Sequence, residues 1–218
     1  MKNNKLALRY FIFLIGLLFN SFGVAYITKA SLGTTPIASI PYTLSLIVPK
    51  LTIGNFTIIV SMLLILLQVI ILKKSANMLD IILQIPISFA FGYIMDFSMW
   101  ILTGFSPENY VTKLISLLIG CFIIAIGAYL EVVADVTMLP ADGLARAIAK
   151  KTKKEFGTIK MMTDSSQAVI AVILGLIFLH GLVGVREGTV IGALLIGNIV
   201  KMIGRVLKLE RIFEGCNR

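Results

Sequence analysis

The segment from Ala30 to Pro49 reads ASLGTTPIASIPYTLSLIVP, and its placement decides how often the chain crosses a membrane. It is uncharged and long enough for one membrane span, which needs about 20 residues. Pro36, Pro41 and Pro49 interrupt it, and a proline inside a helix removes a backbone hydrogen bond. The segment is therefore either a further span or a short element that enters the membrane without crossing it.

The rest of the chain has the composition of a membrane protein. Of its 218 residues, 58% are hydrophobic and only 14% are charged, whereas soluble domains carry about 25% charged residues. Six further apolar stretches are predicted to be transmembrane helices. They are Tyr10–Thr28, Leu51–Leu72, Ile81–Leu102, Leu114–Leu130, Ser165–Leu179 and Gly188–Leu207. The loops are too short for a separate soluble domain, so residues 1–218 are expected to form a single membrane domain.

The distribution of Lys and Arg decides between six and seven spans, because cytoplasmic loops carry an excess of these residues. With six spans and a cytoplasmic N-terminus, 16 of the 20 Lys and Arg residues lie on the inner side. A seventh span at residues 30–49 lowers that number to 6. We therefore expect six spans in a bacterial inner membrane, both termini in the cytoplasm, and residues 30–49 as a re-entrant or interfacial segment. The net charge of +9 then reflects topology, and no nucleic acid partner is expected.

Self-alignment of the chain indicates an internal repeat, residues 1–110 and 111–218. At an offset of 104 residues the matched residues follow in the same order without a gap. They are Leu14, Ile15 and Gly16 on Leu118, Ile119 and Gly120, Gly23 on Gly127, Ala30 on Ala134, and Pro36 on Pro140. Offsets of 103 and 105 add Gly54 on Gly157 and Gly92 on Gly197. Each half holds three spans, so the second half enters the membrane from the opposite side.

The expected fold is an all-α integral membrane protein with six transmembrane helices in two inverted three-helix repeats. Each repeat carries a Pro-interrupted short helix or re-entrant segment after its first span. Many secondary transporters share this architecture, and their substrate sites lie where the two halves meet. The fold alone is weak support for a function.

The two breaks are Leu32-Gly33-Thr34-Thr35-Pro36 and Leu139-Pro140-Ala141-Asp142-Gly143. Pro36 and Pro140 suit the first turn of a helix, and Thr34 or Thr35 is able to cap the first of these helices. A helix start leaves N–H donors free to hold a polar or anionic group. The alternative is that both are ordinary helix starts after a turn.

Carboxylates at membrane depth are the sharper candidates, because charged groups there are costly and mark functional sites. They are Glu131, Asp135, Asp142 and Asp164, together with Asp96 in the first half. Such a cluster suits a cationic substrate or proton coupling. The alternative is that the acids lie at the inner headgroups, paired with Arg146 or Lys160. Two amides inside spans, Asn20 and Gln84, are further candidates, although such groups more often join helices.

Enzyme motifs are missing, so no catalytic residue, metal site or cofactor is expected. His180 has no second His or Cys at metal-binding spacing, and Cys121 and Cys216 are expected to be free thiols. The basic stretch Leu144–Lys154 is expected to lie on the anionic inner leaflet. It also permits a rival interpretation, in which the protein is a membrane accessory or anchor, or a substrate-binding subunit, that acts with a partner.

The motifs quoted above resemble those of the YczE/YyaS/YitT family of bacterial multi-pass membrane proteins, and the YczE branch most of all. The resemblance rests on Leu32-Gly33-Thr34-Thr35-Pro36, Gly54, Gly92-Tyr93-Ile94-Met95-Asp96 and Pro140-Ala141-Asp142-Gly143. It implies the membrane architecture but no agreed substrate or catalytic residue. The sixth span departs from the first-half pattern, because Lys201 occupies the position that corresponds to Asp96.

These observations favour a secondary transporter or exporter of a small molecule, linked to a cation or a proton. The substrate is not identified by the sequence. Under this hypothesis Thr34, Thr35 and Pro36 shape the outer half of the path, and Pro140 and Asp142 shape the inner half. Membrane lipids surround the protein, and a homo-oligomer or a partner subunit is compatible with the sequence.

Overall fold

The computed structural model of the protein describes residues 2–73 and 78–207, and this part of the chain consists of helices and turns without a β-strand. In chain order the helices are α1 (Lys2–Lys29), α2 (Pro36–Ile47), α3 (Ile53–Leu72), α4 (Met78–Ile101), α5 (Tyr110–Ala134), α6 (Pro140–Thr152), α7 (Phe156–Leu179) and α8 (Glu187–Leu207). Six of them are long and apolar enough to cross a membrane. The chain is thus a multi-pass, all-helical membrane protein, as predicted.

The segment that decides the number of spans forms the short helix α2. Its 12 residues extend about 18 Å, which is much less than the roughly 30 Å of a bilayer core. Pro36 occupies the first turn and Pro41 lies inside the helix. Helix α2 therefore does not span the membrane, and the prediction of six spans is confirmed.

The fifth span begins earlier than predicted, at Phe156 rather than at Ser165. Two charged residues, Lys160 and Asp164, lie within its first turns, one helical turn apart. Their side chains form an ion pair with an N–O distance of 2.8 Å. The prediction treated the two charges as isolated and therefore left them outside the span. Because each charge offsets the other, the helix accommodates both within its length.

Helices α1 and α5 form an antiparallel pair at the centre of the fold. Gly16 meets Gly127, and Gly23 meets Gly120 at the other end of the contact. A Cβ atom on Gly127 would lie 2.6 Å from the backbone nitrogen of Asn20. Small residues allow two membrane helices to approach this closely, so the glycines set the distance between α1 and α5.

Together with this pair the other helices form an incomplete ring. Helix α4 packs on α1, and α8 packs on α5; α3 packs on α4 and α6, and α7 packs on α2 and α6. Helix α2 also contacts α3, while α7 and α8 do not pack along each other. The ring is therefore closed between α3 and α4 and open between α7 and α8.

The thiol of Cys121 is buried and free, as predicted. Cys216, with the basic tail beyond Leu207, lies outside the described residues.

Candidate functional site

A cavity of about 1130 Å³ lies inside the ring, and residues from all eight helices line it. It is larger than the roughly 300–1,000 Å³ of typical ligand pockets. Eight of the eleven sequence-predicted site residues line this cavity. They are Asn20, Thr35, Pro36, Gln84, Glu131, Asp135, Asp142 and Asp164. The structure thus brings together candidates that lie up to 144 positions apart in the chain.

Glu131 lies near the end of α5, where α5 faces α1. Its Oε1 atom accepts a hydrogen bond of 3.0 Å from Asn20 Nδ2. Gly16 provides the space, because a Cβ atom there would come within 3.0 Å of the Glu131 Cγ atom. Asp135 ends α5 in a left-handed backbone conformation, and its N–H donates to the Glu131 carbonyl oxygen. Asn20 is therefore part of the site, as the neutral partner of an acidic side chain.

A three-residue ionic cluster joins α6 to α7. Lys160 Nζ lies 2.7 Å from Asp142 Oδ1 and 2.8 Å from Asp164 Oδ1. All three side chains are half-buried, with 22–29% of their surface exposed. The sequence left open whether the acids pair with Lys160 or with Arg146. Asp142 and Asp164 pair with Lys160, whereas Arg146 lies beside the sulfur of Met138. One ammonium and two carboxylates give the cluster a net charge of −1 when all are ionised.

The starts of both short helices face the same cavity. Thr35 is the N-cap residue of α2 and Pro36 follows in its first turn. The Thr35 hydroxyl makes no capping bond; it lines the cavity, buried and without a hydrogen-bond partner. On α6, Leu139 is the N-cap residue and Asp142 lies in the first turn. Helix starts carry partial positive charge, so two such ends border the cavity that also holds the acidic groups described above.

Three of the predicted residues do not line the cavity. Thr34 binds Thr28, with 2.7 Å between the two hydroxyl oxygens. The Pro140 carbonyl oxygen accepts a hydrogen bond from Gln68 Nε2. Asp96 accepts hydrogen bonds from the Gly54 N–H at 2.8 Å and the Thr52 hydroxyl at 2.6 Å. Asp96 therefore joins the end of α4 to the start of α3.

Sequence reasoning missed Gln68, which anchors the start of α6. Gln68 and Gln84 exchange two amide hydrogen bonds, of 2.9 and 3.1 Å. Gly143 lies against this pair, since a Cβ atom there would be 2.6 Å from Gln68 Oε1. The available signal was an amide near the end of an apolar span, the same signal that identified Gln84.

Comparison with known proteins supplies a family without a known activity. The model of the Family of unknown function (DUF6198) matches residues 7–205, almost the whole chain, so the protein belongs to this family. No curated protein and no solved structure matches the chain.

Proposed function

We propose that this member of the DUF6198 family is a secondary transporter of a small molecule across the bacterial inner membrane, with the central cavity as its substrate path. One observation carries the proposal: two short helices start at a single cavity that also holds Glu131 and the ionic cluster of Lys160. Discontinuous helices that point their starts at a central site are typical of secondary transporters. The resemblance to the YczE branch fits this proposal but adds no substrate, and no enzymatic activity is part of it.

The charges of the cavity favour a cationic substrate or a coupled proton. Among the residues that the structure describes, five acids and four bases line it. The acids are Asp80, Glu131, Asp135, Asp142 and Asp164, and the bases are Arg146, Lys150, Lys160 and Lys201. When all nine groups are ionised, one further positive charge balances this set. An uncompensated charge at membrane depth is costly, so a cation or a proton stabilises the filled cavity.

An inverted repeat accounts for the arrangement of the helices. A long helix, a short helix and two long helices follow one another twice along the chain. In the predicted alignment of the halves, Gly16 corresponds to Gly120 and Gly23 corresponds to Gly127. The repeat therefore relates the contact of Gly16 with Gly127 to the contact of Gly120 with Gly23. The distribution of Lys and Arg favours a cytoplasmic position for α6. In this topology the end of the cavity that holds Glu131, Asp135, Asp142 and Asp164, here called the acidic end, faces the cytoplasm.

Ligand-dependent thermal stabilisation of the purified protein tests the proposal. We expect a cationic compound from a small-molecule library, or acidification alone, to raise the unfolding midpoint. Asp135→Asn is expected to weaken this effect without unfolding the protein, because asparagine tolerates the left-handed conformation of Asp135. Glu155→Gln, an exposed acid at the start of α7 outside the cavity lining, is the matched control. If neither cations nor protons stabilise a well-folded sample, the proposal is wrong.

The accessory interpretation is the second candidate, and the exposure of the basic end of α6 favours it. Lys150, Lys151, Lys153 and Lys154 are all exposed. We expect replacement of Lys151, Lys153 and Lys154, which do not line the cavity, by glutamate to weaken binding to anionic lipid vesicles and to leave cation-dependent stabilisation intact. Vesicle co-sedimentation measures the first effect. The accessory role would be supported instead if no cation stabilises the wild-type protein and if a cytoplasmic protein that co-purifies with it is lost from the glutamate variant.

A further inference from the structure

The seam between α3 and α4 is closed, whereas the corresponding seam between α7 and α8 is open. In the closed seam, a Cβ atom on Gly92 would lie 2.8 Å from the Gly54 carbonyl oxygen. The sequence repeat aligns these two glycines with Gly157 and Gly197. A Cβ atom on Gly197 would meet no heavy atom within 4 Å, and for Gly157 the nearest is Glu155 Oε1 at 3.8 Å. The same pair of small residues is thus in contact in one half and apart in the other.

The sequence contains a chemical reason for this difference. Asp96 closes the first seam by accepting hydrogen bonds from Gly54 and Thr52 at the start of α3. The repeat aligns Asp96 with Lys201, and an ammonium group donates hydrogen bonds but accepts none. Lys201 is therefore unable to hold the start of α7 in the way that Asp96 holds the start of α3.

Residues on both sides of the open seam line the central cavity. Ala193, Ile196, Gly197 and Val200 of α8 line the cavity, and the α7 side is lined by Phe156, Lys160 and Asp164. A second cavity, of about 630 Å³, lies at the other end of the two helices. Its lining is mostly apolar and includes Val172, Leu182, Val185 and Val190. The α8 residues that line the two cavities between Val190 and Val200 are therefore apolar, whereas the α7 side includes the charged pair of Lys160 and Asp164.

The cavity behind the seam is amphipathic. Apolar residues of several helices, α8 among them, form much of its wall, and its acidic end contains Glu131 and the Lys160 cluster. A small hydrophilic ion would leave the apolar wall without a partner, and an uncharged lipid chain would leave the acidic excess unbalanced. An amphiphile with a single positive charge satisfies both parts.

We propose that the seam between α7 and α8 is a lateral portal through which a membrane-dissolved amphiphile with a cationic head enters the cavity. The head lies at the acidic end and the chain lies along α8. This assignment rests on the proposed transport function, and it adds the class of substrate and its route. The cavity volume of about 1130 Å³, above the usual range for drug-sized ligands, leaves room for the chain.

The test uses the full-length protein in nanodiscs of zwitterionic lipid, with ethylammonium and dodecylammonium as probes of one head group and two chain lengths. In the wild-type protein we expect dodecylammonium to raise the unfolding midpoint at a concentration at least tenfold lower than ethylammonium. Gly197→Trp should abolish the advantage of the long chain, because the indole fills open space at the portal. Leu194→Trp, at a position that is 65% exposed on the same helix, is the control for non-specific effects. Ala193→Phe is a second portal variant if Gly197→Trp does not fold.

Each outcome bears on a different part of the proposal. Retention of the long-chain effect in both portal variants would overturn the lateral route. Equal potency of the two probes in the wild-type protein would also overturn it, while leaving a cation site and the proposed transport function intact. Failure of both probes would overturn the cationic substrate itself. Disulfide cross-linking of two Gly197→Cys protomers, in a background without Cys121 and Cys216, would show that a second copy covers the seam and would overturn the portal.

Discussion

Replacing Gly127 with alanine is expected to destabilise the protein by about 1–3 kcal/mol, the usual cost of overpacking a tight contact. The added Cβ atom would lie 2.6 Å from the backbone nitrogen of Asn20 and 2.7 Å from the carbonyl oxygen of Gly16. Both atoms belong to the α1 backbone, so no side-chain rotation relieves the contact. Helices α1 and α5 must separate, and every helix that packs on either of them shifts as well.

The matched control is Gly197→Ala, which places the same methyl group in a transmembrane helix with no heavy atom within 4 Å. Alanine is the better helix former by up to about 1 kcal/mol, so this variant is expected to be unchanged or slightly more stable. Thermal unfolding of both variants in the same detergent measures the difference. Equal midpoints would mean that the contact between α1 and α5 tolerates a wider separation than the structure contains.

The sequence was sufficient for the features that depend on local composition and charge. Length and apolar content predict the six long helices, and the Lys and Arg distribution correctly excludes residues 30–49 as a seventh span. Pro36 and Pro140 are at the first turns of short helices, as predicted. These results follow from physical constraints that act on each segment separately.

Long-range pairings could not be predicted in this way. Asp96 was assigned to the path as an intramembrane acid, but its hydrogen-bond partners begin another helix 42 and 44 positions earlier in the chain. The exchange of hydrogen bonds between Gln68 and Gln84 depends equally on packing. The open seam between α7 and α8 is a third case, because the glycines of both halves look alike in sequence and only their neighbours differ.

Neutralising Glu131 is expected to have the largest effect on function. Glu131→Gln keeps the shape of the side chain and an oxygen that accepts the hydrogen bond from Asn20 Nδ2, but it removes the ionisable carboxyl group that would hold a cation as a carboxylate. Hydrogen bonds to charged groups contribute about 1.5–3 kcal/mol. We therefore expect cation binding to weaken roughly tenfold to hundredfold and transport into liposomes to fall by at least as much.

The control for this variant is Glu155→Gln, which removes the same charge from an exposed position at the start of α7 that does not line the cavity. Ethylammonium is the probe, and the measured quantities are its half-maximal concentration for thermal stabilisation and its flux into liposomes. The role of Glu131 requires that its variant loses both while the control retains both. If Glu131→Gln binds and transports ethylammonium like the wild-type protein, the carboxylate only joins α5 to α1. The cation site would then have to lie at the other acids of the cavity, Asp80, Asp135, Asp142 or Asp164.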